Sequence, residues 1–263
     1  MTGSAIRDLV QLARSAAVEA GDSVCAARPR GPVTATTKSS ATDMVTEFDR
    51  ASERLLVDRL RSARPADGIV GEEGASEVGT SGISWLIDPI DGTTNFMYGL
   101  RGWAVSVAAI DLHGPVAAAV YAPELDELFV AGRGLGATLN GHAITCGRLD
   151  RLATALVATG FSYLPEHRAT HAARVAGMMA HLRDIRRLGA ASLDLCYVAA
   201  GRLDAYFEEG LGPWDLAGGQ LVAAEAGCRT GDFEGGPIRP SQALVTNPAL
   251  FDELAALIRR NTH

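Results

Sequence analysis

Apolar residues recur along the chain with two different periods, and the longer period predicts the helices. Across residues 5–26 they return every three or four positions, as expected of a helix with one buried face. The same spacing over about residues 44–60 predicts a second helix, with Asp49 early in it. Further helices are predicted at residues 168–182, 190–200, 214–226 and 247–260.

Alternating or continuous apolar runs between turn residues predict the strands. Runs at residues 104–110, 116–121 and 127–131 predict an antiparallel meander, and the Asn140-Gly141 dipeptide is typical of a hairpin turn. Shorter strands are predicted at residues 69–70, 152–159, 185–188, 205–208 and 244–246. Two segments rich in Pro, Gly, Ser and Thr, at residues 28–40 and 76–84, are predicted to be loops. Helices around two sheets predict a layered α/β or α+β fold.

The most informative stretch is residues 85–96, whose sequence is WLIDPIDGTTNF. Its first three residues are apolar and predict the end of a buried strand. Pro89 is expected to stop that strand because proline cannot donate a hydrogen bond to a neighbouring strand.

The polar half of this stretch is suited to bind a metal-bound phosphate. Asp88 and Asp91 are expected on a tight turn, and Gly92 allows the backbone to bend there. A helix could begin at Thr93 and Thr94, and the first N–H groups of a helix have no acceptor within it. Two carboxylates beside free N–H groups favour a divalent cation with a phosphate bound to it.

Two other acidic residues, Glu72 and Asp215, also follow or precede apolar segments. Taken alone, Asp88, Asp91, Glu72 and Asp215 each have a structural explanation as a turn, loop or helix-start residue. If a sheet edge brought them together, adjacent carboxylates would repel by about 4 kcal/mol at an effective dielectric constant near 20. Such a cluster therefore requires cations. Oxygen ligands without His or Cys favour Mg²⁺ or Mn²⁺ over Zn²⁺.

Composition and charge are those of an ordinary globular protein. The 263 residues are 47% hydrophobic and 21% charged, so one large domain and two closely packed halves are both compatible with the length. The formal charge of −7 disfavours binding of nucleic acid to a basic face. An acidic protein can still bind a phosphorylated substrate where metal ions invert the local charge.

The cysteines and the hydropathy pattern indicate a cytoplasmic protein. The four cysteines are far apart, without a CxxC pair, and are expected to be buried free thiols. No apolar run approaches the ~18 residues of a membrane span, and the N-terminus lacks a signal-peptide pattern. We therefore expect no membrane association.

Four segments together carry a specific family resemblance. They are residues 43–49 (DMVTEFD), 71–74 (GEEG), 85–96 and 201–227. With these segments the chain resembles an inositol monophosphatase, of the lithium-sensitive, magnesium-dependent phosphatases. The resemblance implies a layered αβαβα sandwich that acts as a homodimer, and inhibition by lithium. It implies a single domain over residues 1–263, with an N-terminal α+β half at about 1–145 and a C-terminal α/β half at about 146–263.

The resemblance also implies which residues hold the metal ions. Two or three Mg²⁺ ions, with Mn²⁺ as an alternative, would be bound by Glu72, Asp88, the backbone carbonyl of Ile90, Asp91 and Asp215. Lys38 occupies the position of the family's lysine in a mobile loop over the site.

The remaining implied roles concern catalysis and substrate binding. Thr93 would pair with Asp49 so that the threonine hydroxyl orients or deprotonates the attacking water, in a catalytic set that also includes Glu72. The start of the helix at Gly92, Thr93 and Thr94 would bind the phosphate. Glu208, Asp91 and the backbone N–H of Ala191 would bind the hydroxyl groups of inositol. The spacing to Trp214-Asp215 selects Glu208 rather than its neighbour Glu209.

Several other functions are compatible with parts of this sequence. A haloacid-dehalogenase-type phosphatase needs two aspartates two positions apart, whereas Asp88 and Asp91 are three apart with Pro89 between them. Within the resembled family, the small-molecule substrate favoured is myo-inositol 1-phosphate, and histidinol phosphate is the main alternative. Sugar bisphosphates are disfavoured because no basic cluster marks a second phosphate pocket. A regulatory, non-catalytic member is a further alternative, although every expected acidic position is filled.

Overall fold

The computed structural model describes residues 1–29, 33–38 and 44–262. Asp43, the first residue of the 43–49 motif, lies outside the described residues. The α-helices of this part of the chain are Gly3–Ala27 (α1), Glu47–Ala63 (α2), Thr93–Tyr98 (α3), Pro165–Met178 (α4), Ala191–Ala199 (α5), Pro213–Glu225 (α6) and Phe251–Arg260 (α7).

The strands of the described ranges form three sheets. A short hairpin pairs Ala35–Thr37 (β1) with Met44–Thr46 (β2). The strands of the large sheet are Gly68–Gly71 (β3), Ser76–Glu77 (β4), Ser84–Asp91 (β5), Ala104–Asp111 (β6), Gly114–Ala122 (β7), Glu127–Gly132 (β8), Gly136–Leu139 (β9) and His142–Ala143 (β10). Those of the smaller sheet are Leu156–Thr159 (β11), Asp184–Arg186 (β12), Ala205–Glu208 (β13), Arg229–Gly231 (β14) and Ala243–Thr246 (β15).

The large sheet contains the predicted meander. Its strand order is β10-β9-β8-β7-β6-β5-β3-β4, and only the β3–β5 pair is parallel. The smaller sheet has the order β12-β11-β13-β15-β14, in which β11 runs parallel to both of its neighbours.

The prediction that Pro89 stops its strand is wrong, because β5 continues to Asp91. The pairing register with β6 shifts between Asp88, which lies opposite Ser106, and Asp91, which lies opposite Ala104. Pro89 falls within this irregularity, where a missing N–H removes no regular ladder bond. The irregularity places both aspartates at the end of a buried strand.

Other boundaries also differ from the prediction. Residues 44–46 form β2 instead of the start of a helix, because the helix begins only where Thr46 caps it. The Thr46 hydroxyl accepts hydrogen bonds from the N–H groups of Phe48 and Asp49, and the Asp49 carboxylate accepts one from the Thr46 N–H at 2.8 Å. Residues 35–37 and 76–77, predicted as loop, are edge strands, residues 152–154 form a 3₁₀ turn, and the last helix begins at Phe251.

Three apolar cores define five layers. Helices α1 and α2 pack on one face of the large sheet, α5 and α6 lie between the two sheets, and α4 and α7 cover the outer face of the smaller sheet. Representative buried residues of these three cores are Leu9, Leu56 and Trp85; Val120, Leu195 and Val222; and Val157, Phe207 and Leu254. The αβαβα arrangement is thereby confirmed, while the division into halves near residue 145 stays a prediction.

The cysteines are free, but only one of them is fully buried. Cys196 lies in the central core, whereas Cys25, Cys146 and Cys228 are half-buried, so the expectation of burial holds for one of the four. Among the described residues, no helix combines the length and the apolar character needed to cross a bilayer.

Candidate active site

A cavity of about 330 Å³ lies where β5, α3, α5, α6 and the end of β13 meet. Four of the predicted carboxylates line it, although they come from three distant parts of the chain: Glu72, Asp88, Asp91 and Asp215. Ile90, Gly92, Thr93, Ala191 and Glu208 lie in the same wall. Three predicted site residues are absent from this lining: Lys38, Asp49 and Thr94.

The turn at Gly92 fixes the relative positions of Asp91 and Thr93. Gly92 has φ of 89°, in the left-handed region, and is the residue immediately before α3. A Cβ at this position would lie 3.1 Å from the carbonyl oxygens of both Gly102 and Gly189. Only glycine therefore satisfies both the backbone conformation and the close approach.

Asp91 links this turn to the N-terminus of α5. Its Oδ1 accepts a hydrogen bond from the Ala191 N–H at 3.1 Å, and its Oδ2 accepts from the Ser192 N–H at 2.7 Å and the Ser192 hydroxyl at 2.5 Å. Burial raises the pKa of Asp91 to about 6, against the opposing effect of the Ser192 hydrogen bonds. The Ala191 N–H is thus bound to Asp91, and its predicted contact with substrate stays a prediction.

Asp88 lies at the centre of the carboxylate cluster. It is 1% exposed, and its Oδ1 accepts a hydrogen bond from the Ile90 N–H at 3.0 Å. Burial, together with the charges of Glu72, Asp91 and Asp215, raises its pKa well above the usual range. The pKa of Asp215 is raised by burial and by Asp91 and Glu72, although its Oδ2 accepts a hydrogen bond from the Gly212 N–H at 2.7 Å.

The donor chemistry of this cluster fits a divalent metal ion. Buried carboxylates that raise one another's pKa must be neutralised by protons or by cations, and a divalent cation would supply positive charge to the same oxygens. Within the described part of the chain, no three His, Cys, Asp or Glu side chains have the geometry of a formed metal centre. The fit therefore rests on the shared cavity, the oxygen-only donors and the mutual repulsion of these groups.

Lys38 contacts the edge of the cluster through Glu72. Its Nζ lies 2.9 Å from Glu72 Oε1 and also forms an ion pair with Glu73. Burial lowers the pKa of Lys38, but the neighbouring Glu72 and Glu73 outweigh that effect. The net pKa is therefore raised, and the ammonium group stays charged. Burial raises the pKa of Glu73 to about 7. The lysine therefore lies beside Glu72, and its place in a mobile loop over the site stays a prediction.

Glu53 holds the turn that carries Glu72, and sequence reasoning missed it. Its Oε2 accepts a hydrogen bond from the Glu73 N–H at 2.8 Å, and its Oε1 accepts one from the Ala75 N–H at 3.0 Å. Glu53 is 7% exposed and lies four residues after Asp49, on the same face of α2. A charged residue at that spacing on a buried helical face is the signal that could have indicated it.

Asp49 lies behind the cavity wall and contacts Thr93. The Thr93 Oγ1 is 3.2 Å from Asp49 Oδ1 and 3.1 Å from the carbonyl oxygen of Ile90. Asp49 is fully buried, and burial raises its pKa. The two residues are therefore within hydrogen-bonding distance, as the family resemblance implied.

The two consecutive glutamates at the end of β13 have different surroundings. Glu208 accepts a hydrogen bond from the buried Tyr206 hydroxyl, and burial raises its pKa to about 6. Glu209 forms ion pairs with Arg174 and with His171, whose Nε2 lies 3.2 Å away. Although burial raises the pKa of Glu209, its partners lower it. Glu209 is thus tied to α4, whereas Glu208 has no such ion pair among the described residues.

Comparison with known proteins agrees with this fold. Residues 6–263 match the model of the inositol monophosphatase family. The chain belongs to the inositol monophosphatase family. The chain is 43% identical over 235 residues to the inositol-1-monophosphatase of Mycobacterium bovis, covering 85% of this chain and 80% of the relative. It is 39% identical over 257 residues to the Nus factor SuhB of Vibrio cholerae, covering 96% of each.

The solved structures of the inositol monophosphatase family share the whole fold. The extragenic suppressor protein suhB of Bartonella henselae superposes with a TM-score of 0.91 at 35% identity, covering 96% of this chain and 99% of that one. This membership makes the protein a phosphatase, and the inositol monophosphatase family is metal-dependent in general.

Some cavity residues of this inositol monophosphatase fold were not predicted. Phe161 and Tyr163 come from the loop after β11, Arg187 from the loop after β12, and Asp194 from α5. Loop residues without a motif carry no periodic signal, so the first three could not be found. Asp194 was detectable as the only charged residue in an otherwise apolar helix. Thr94 lies in a second cavity of about 440 Å³ that shares part of this loop.

Proposed function

We propose that this protein is a Mg²⁺-dependent phosphatase that hydrolyses myo-inositol 1-phosphate to myo-inositol and phosphate. The observation that carries the proposal is a single cavity lined both by four acidic residues suited to metal ions and by Glu208. The first group suits a phosphate bound through cations, and the second suits the hydroxyl groups of the alcohol. The match of residues 6–263 to the family model and the 43% identity to a relative named inositol-1-monophosphatase support the same substrate.

In this proposal the acidic cluster holds the metal ions. Glu72, Asp88, Asp91, Asp215 and the carbonyl oxygen of Ile90 would be the ligands of two or three Mg²⁺ ions, or of Mn²⁺ in their place. The bound ions would neutralise the phosphoryl oxygens and lower the pKa of a water molecule. The N–H groups of Gly92 and Thr93 would hold phosphoryl oxygens at the start of α3.

Thr93 and Asp49 would orient the attacking water. When the Thr93 hydroxyl donates a hydrogen bond to Asp49, at 3.2 Å, its oxygen is free to accept a hydrogen bond from the water. The water is then directed at phosphorus in line with the leaving oxygen, and positioning supplies much of the rate acceleration. Glu208 and Asp91 would fix the inositol ring so that its ester oxygen leaves along that line.

Two alternatives are outcomes of the kinetic test. Histidinol phosphate would use the same metal cluster with a different leaving group, since fold and metal site do not determine the alcohol. A regulatory role is suggested by the Vibrio relative, which is named a Nus factor. No observation favours that role here, because every acidic position is filled and the net charge is −7.

We further propose a homodimer. Tyr98, Leu100 and Leu188 are exposed by 77%, 56% and 37%, and the backbones of the last two are linked through Asn95. An exposed apolar patch of this kind is typical of a contact between subunits. Multi-angle light scattering on the purified protein tests this, and a monomer would contradict it.

Four free cysteines are in keeping with a cytoplasmic protein.

A substrate panel tests the proposed activity. The purified protein is assayed with Mg²⁺ on inositol 1-phosphate, histidinol phosphate, fructose 1,6-bisphosphate and phosphoadenosine phosphate. We expect kcat/KM for inositol 1-phosphate to exceed the others by about tenfold or more. A preference of the same size for one of the other three substrates would reject the assignment of inositol 1-phosphate. No hydrolysis of any of the four would reject the enzymatic role. Lithium, which the family resemblance implies as an inhibitor, is tested in the same assay.

A further inference from the structure

Asp194 is a buried aspartate in the cavity wall, and one of its carboxyl oxygens is unpartnered among the described residues. It lies in the first turn of α5 and is 2% exposed. Its Oδ1 has no hydrogen-bond partner within the described part of the chain. Its backbone N–H donates to the carbonyl oxygen of Ala190 at 2.9 Å, so the helix is formed without help from the side chain.

Such a group is costly to the folded state and calls for an explanation. A buried carboxylate oxygen without a donor loses hydration and gains nothing in return. The remainder of α5 is built of small and apolar residues, together with Ser192, which already binds Asp91. A neutral or apolar residue at position 194 would therefore satisfy the packing of this helix better than aspartate.

The surroundings of Asp194 place it at the alcohol end of the cavity. Burial raises its pKa, the charges of Asp91 and Glu208 raise it further, and Arg187 lowers it. All four residues line the same cavity. Asp194 thus shares the cavity wall with Asp91 and Glu208, the two groups assigned above to the leaving alcohol, and it belongs to a different element from Glu208.

We propose that Asp194 is a specificity-determining residue that hydrogen-bonds a second hydroxyl group of the leaving alcohol, distinct from the hydroxyl bound by Glu208. This inference rests on the proposed function. A hydroxyl group both donates and accepts, so it can satisfy the orphaned oxygen whether or not the carboxyl group is protonated. Asp194 belongs to α5 and Glu208 to β13, so the two carboxyl groups would bind the alcohol from different elements. Together they favour the phosphate ester of a polyhydroxylated ring over that of a simple alkyl or aryl alcohol.

The test compares two phosphate esters that differ in hydroxyl groups. Myo-inositol 1-phosphate presents several of them, whereas phenyl phosphate presents none on its leaving group. The Asp194→Leu variant removes hydrogen bonding and retains bulk, and Asp194→Asn retains the shape and removes the charge. We expect Asp194→Leu to lower kcat/KM for inositol 1-phosphate by about tenfold or more and to change that for phenyl phosphate by less than about threefold. Asp194→Asn should give a smaller loss of the same kind.

Thermal unfolding provides a readout that separates substrate binding from a structural role. Since aspartate is poorly satisfied at this position, neither variant should lower Tm. The matched control is Asp232→Asn, another buried aspartate, which lies outside the cavity lining. Its Oδ1 accepts hydrogen bonds from the Glu234 and Gly236 N–H groups, and its Oδ2 forms an ion pair with Arg239 at 3.3 Å that asparagine cannot form. The control should lower Tm and leave the ratio of the two kcat/KM values unchanged.

The outcomes distinguish this inference from the proposed function. If the wild-type enzyme prefers inositol 1-phosphate and both Asp194 variants keep that preference, the inference alone is overturned. Equal losses on both substrates, or a lowered Tm, would make Asp194 a structural residue and also overturn it. A wild-type enzyme that hydrolyses phenyl phosphate but not inositol 1-phosphate would overturn the proposed function, and the role of Asp194 with it.

Discussion

The Thr93 hydroxyl lies 3.2 Å from Asp49 Oδ1, although 44 positions separate the two residues in the chain. The contact joins the start of α3 to the first turn of α2. It also brings a fully buried carboxylate to the back of the candidate active site. A proton acceptor held behind a hydroxyl in this way can orient a water molecule on the hydroxyl's other side.

We therefore predict that Asp49→Asn lowers kcat by about 10²-fold or more, with little change in KM, because asparagine is a poorer proton acceptor. Steady-state kinetics on inositol 1-phosphate measures this. The matched control is Ser52→Ala in the same helix, whose hydroxyl donates to the carbonyl oxygen of Pro89 and does not reach Thr93. A wild-type kcat in the Asp49 variant would show that the pair has no part in catalysis.

Asp91→Asn should abolish turnover and also loosen α5. Both Asp91 oxygens accept hydrogen bonds from the start of that helix, and the amide can offer only one oxygen to those donors. We expect kcat to fall by about 10³-fold or more and the stabilisation by Mg²⁺ to shrink. Activity and Tm with and without Mg²⁺ measure both effects. A near-normal rate would show that the cavity is not the active site.

Glu53→Gln should weaken metal binding without removing a metal ligand. Glu53 holds the turn that carries Glu72 through two backbone N–H groups, and glutamine leaves one of them without an acceptor. We predict a loss of about 1–2 kcal/mol in stability and a higher Mg²⁺ concentration for half-maximal activity, with most of kcat restored at saturating Mg²⁺. Glu47→Gln, an exposed change in the first turn of the same helix, should have neither effect. An unchanged Mg²⁺ requirement in the Glu53 variant would argue against this positioning role.

Mg²⁺ should stabilise the protein more near neutral pH than in weak acid. The pKa values of Asp91 and Glu208 are raised by burial from 3.8 and 4.5 to about 6, so the folded state binds protons more tightly than the unfolded state. Without metal, stability therefore falls as the pH rises from the unfolded pKa values towards 6 and the buried groups ionise. Bound metal ions would relieve the repulsion between the ionised carboxylates only at a pH where protons do not compete for the same oxygens. Melting curves with and without Mg²⁺ at about pH 5 and about pH 7.5 measure the difference, and an equal shift of Tm at both pH values would contradict it.

Glu208→Ala should mainly impair the use of inositol phosphates. Glu208 lines the cavity, but its hydrogen-bond partner is Tyr206 and not a residue of the acidic cluster. We expect about tenfold or greater loss of kcat/KM for inositol 1-phosphate and a small change for phenyl phosphate. Equal loss on the two substrates would remove the proposed specificity role.

Local sequence patterns predicted the elements that depend on local rules. The periods of apolar residues located the helices and the meander, because burial of one face imposes those periods. The DxxDG turn indicated Asp88 and Asp91 because the residue types and the glycine conformation are set locally. The β1–β2 hairpin was missed because each strand has only three residues and β1 is largely exposed, so no alternating buried face marks it.

The parts that escaped prediction depend on contacts between distant residues. Pro89 could remain in β5 only because the register with β6 shifts there, and that shift is set by the neighbouring strand. Glu53 acquires its role only when α2 packs beside the turn after β3. Arg187 reaches the cavity from the loop between β12 and α5, and no local pattern encodes where that loop lies.

The proposed function requires that four acidic residues bind divalent metal ions in one cavity and bring a phosphate ester to Thr93. A crystal of the protein soaked in Mn²⁺ and phosphate tests it most directly, because the anomalous signal locates the metal. We predict anomalous peaks ligated by Glu72, Asp88, Asp91 and Asp215, with phosphate oxygens on the metal and near the Gly92 and Thr93 N–H groups. Peaks confined to other parts of the protein, with these four side chains left to protons and water, would contradict it.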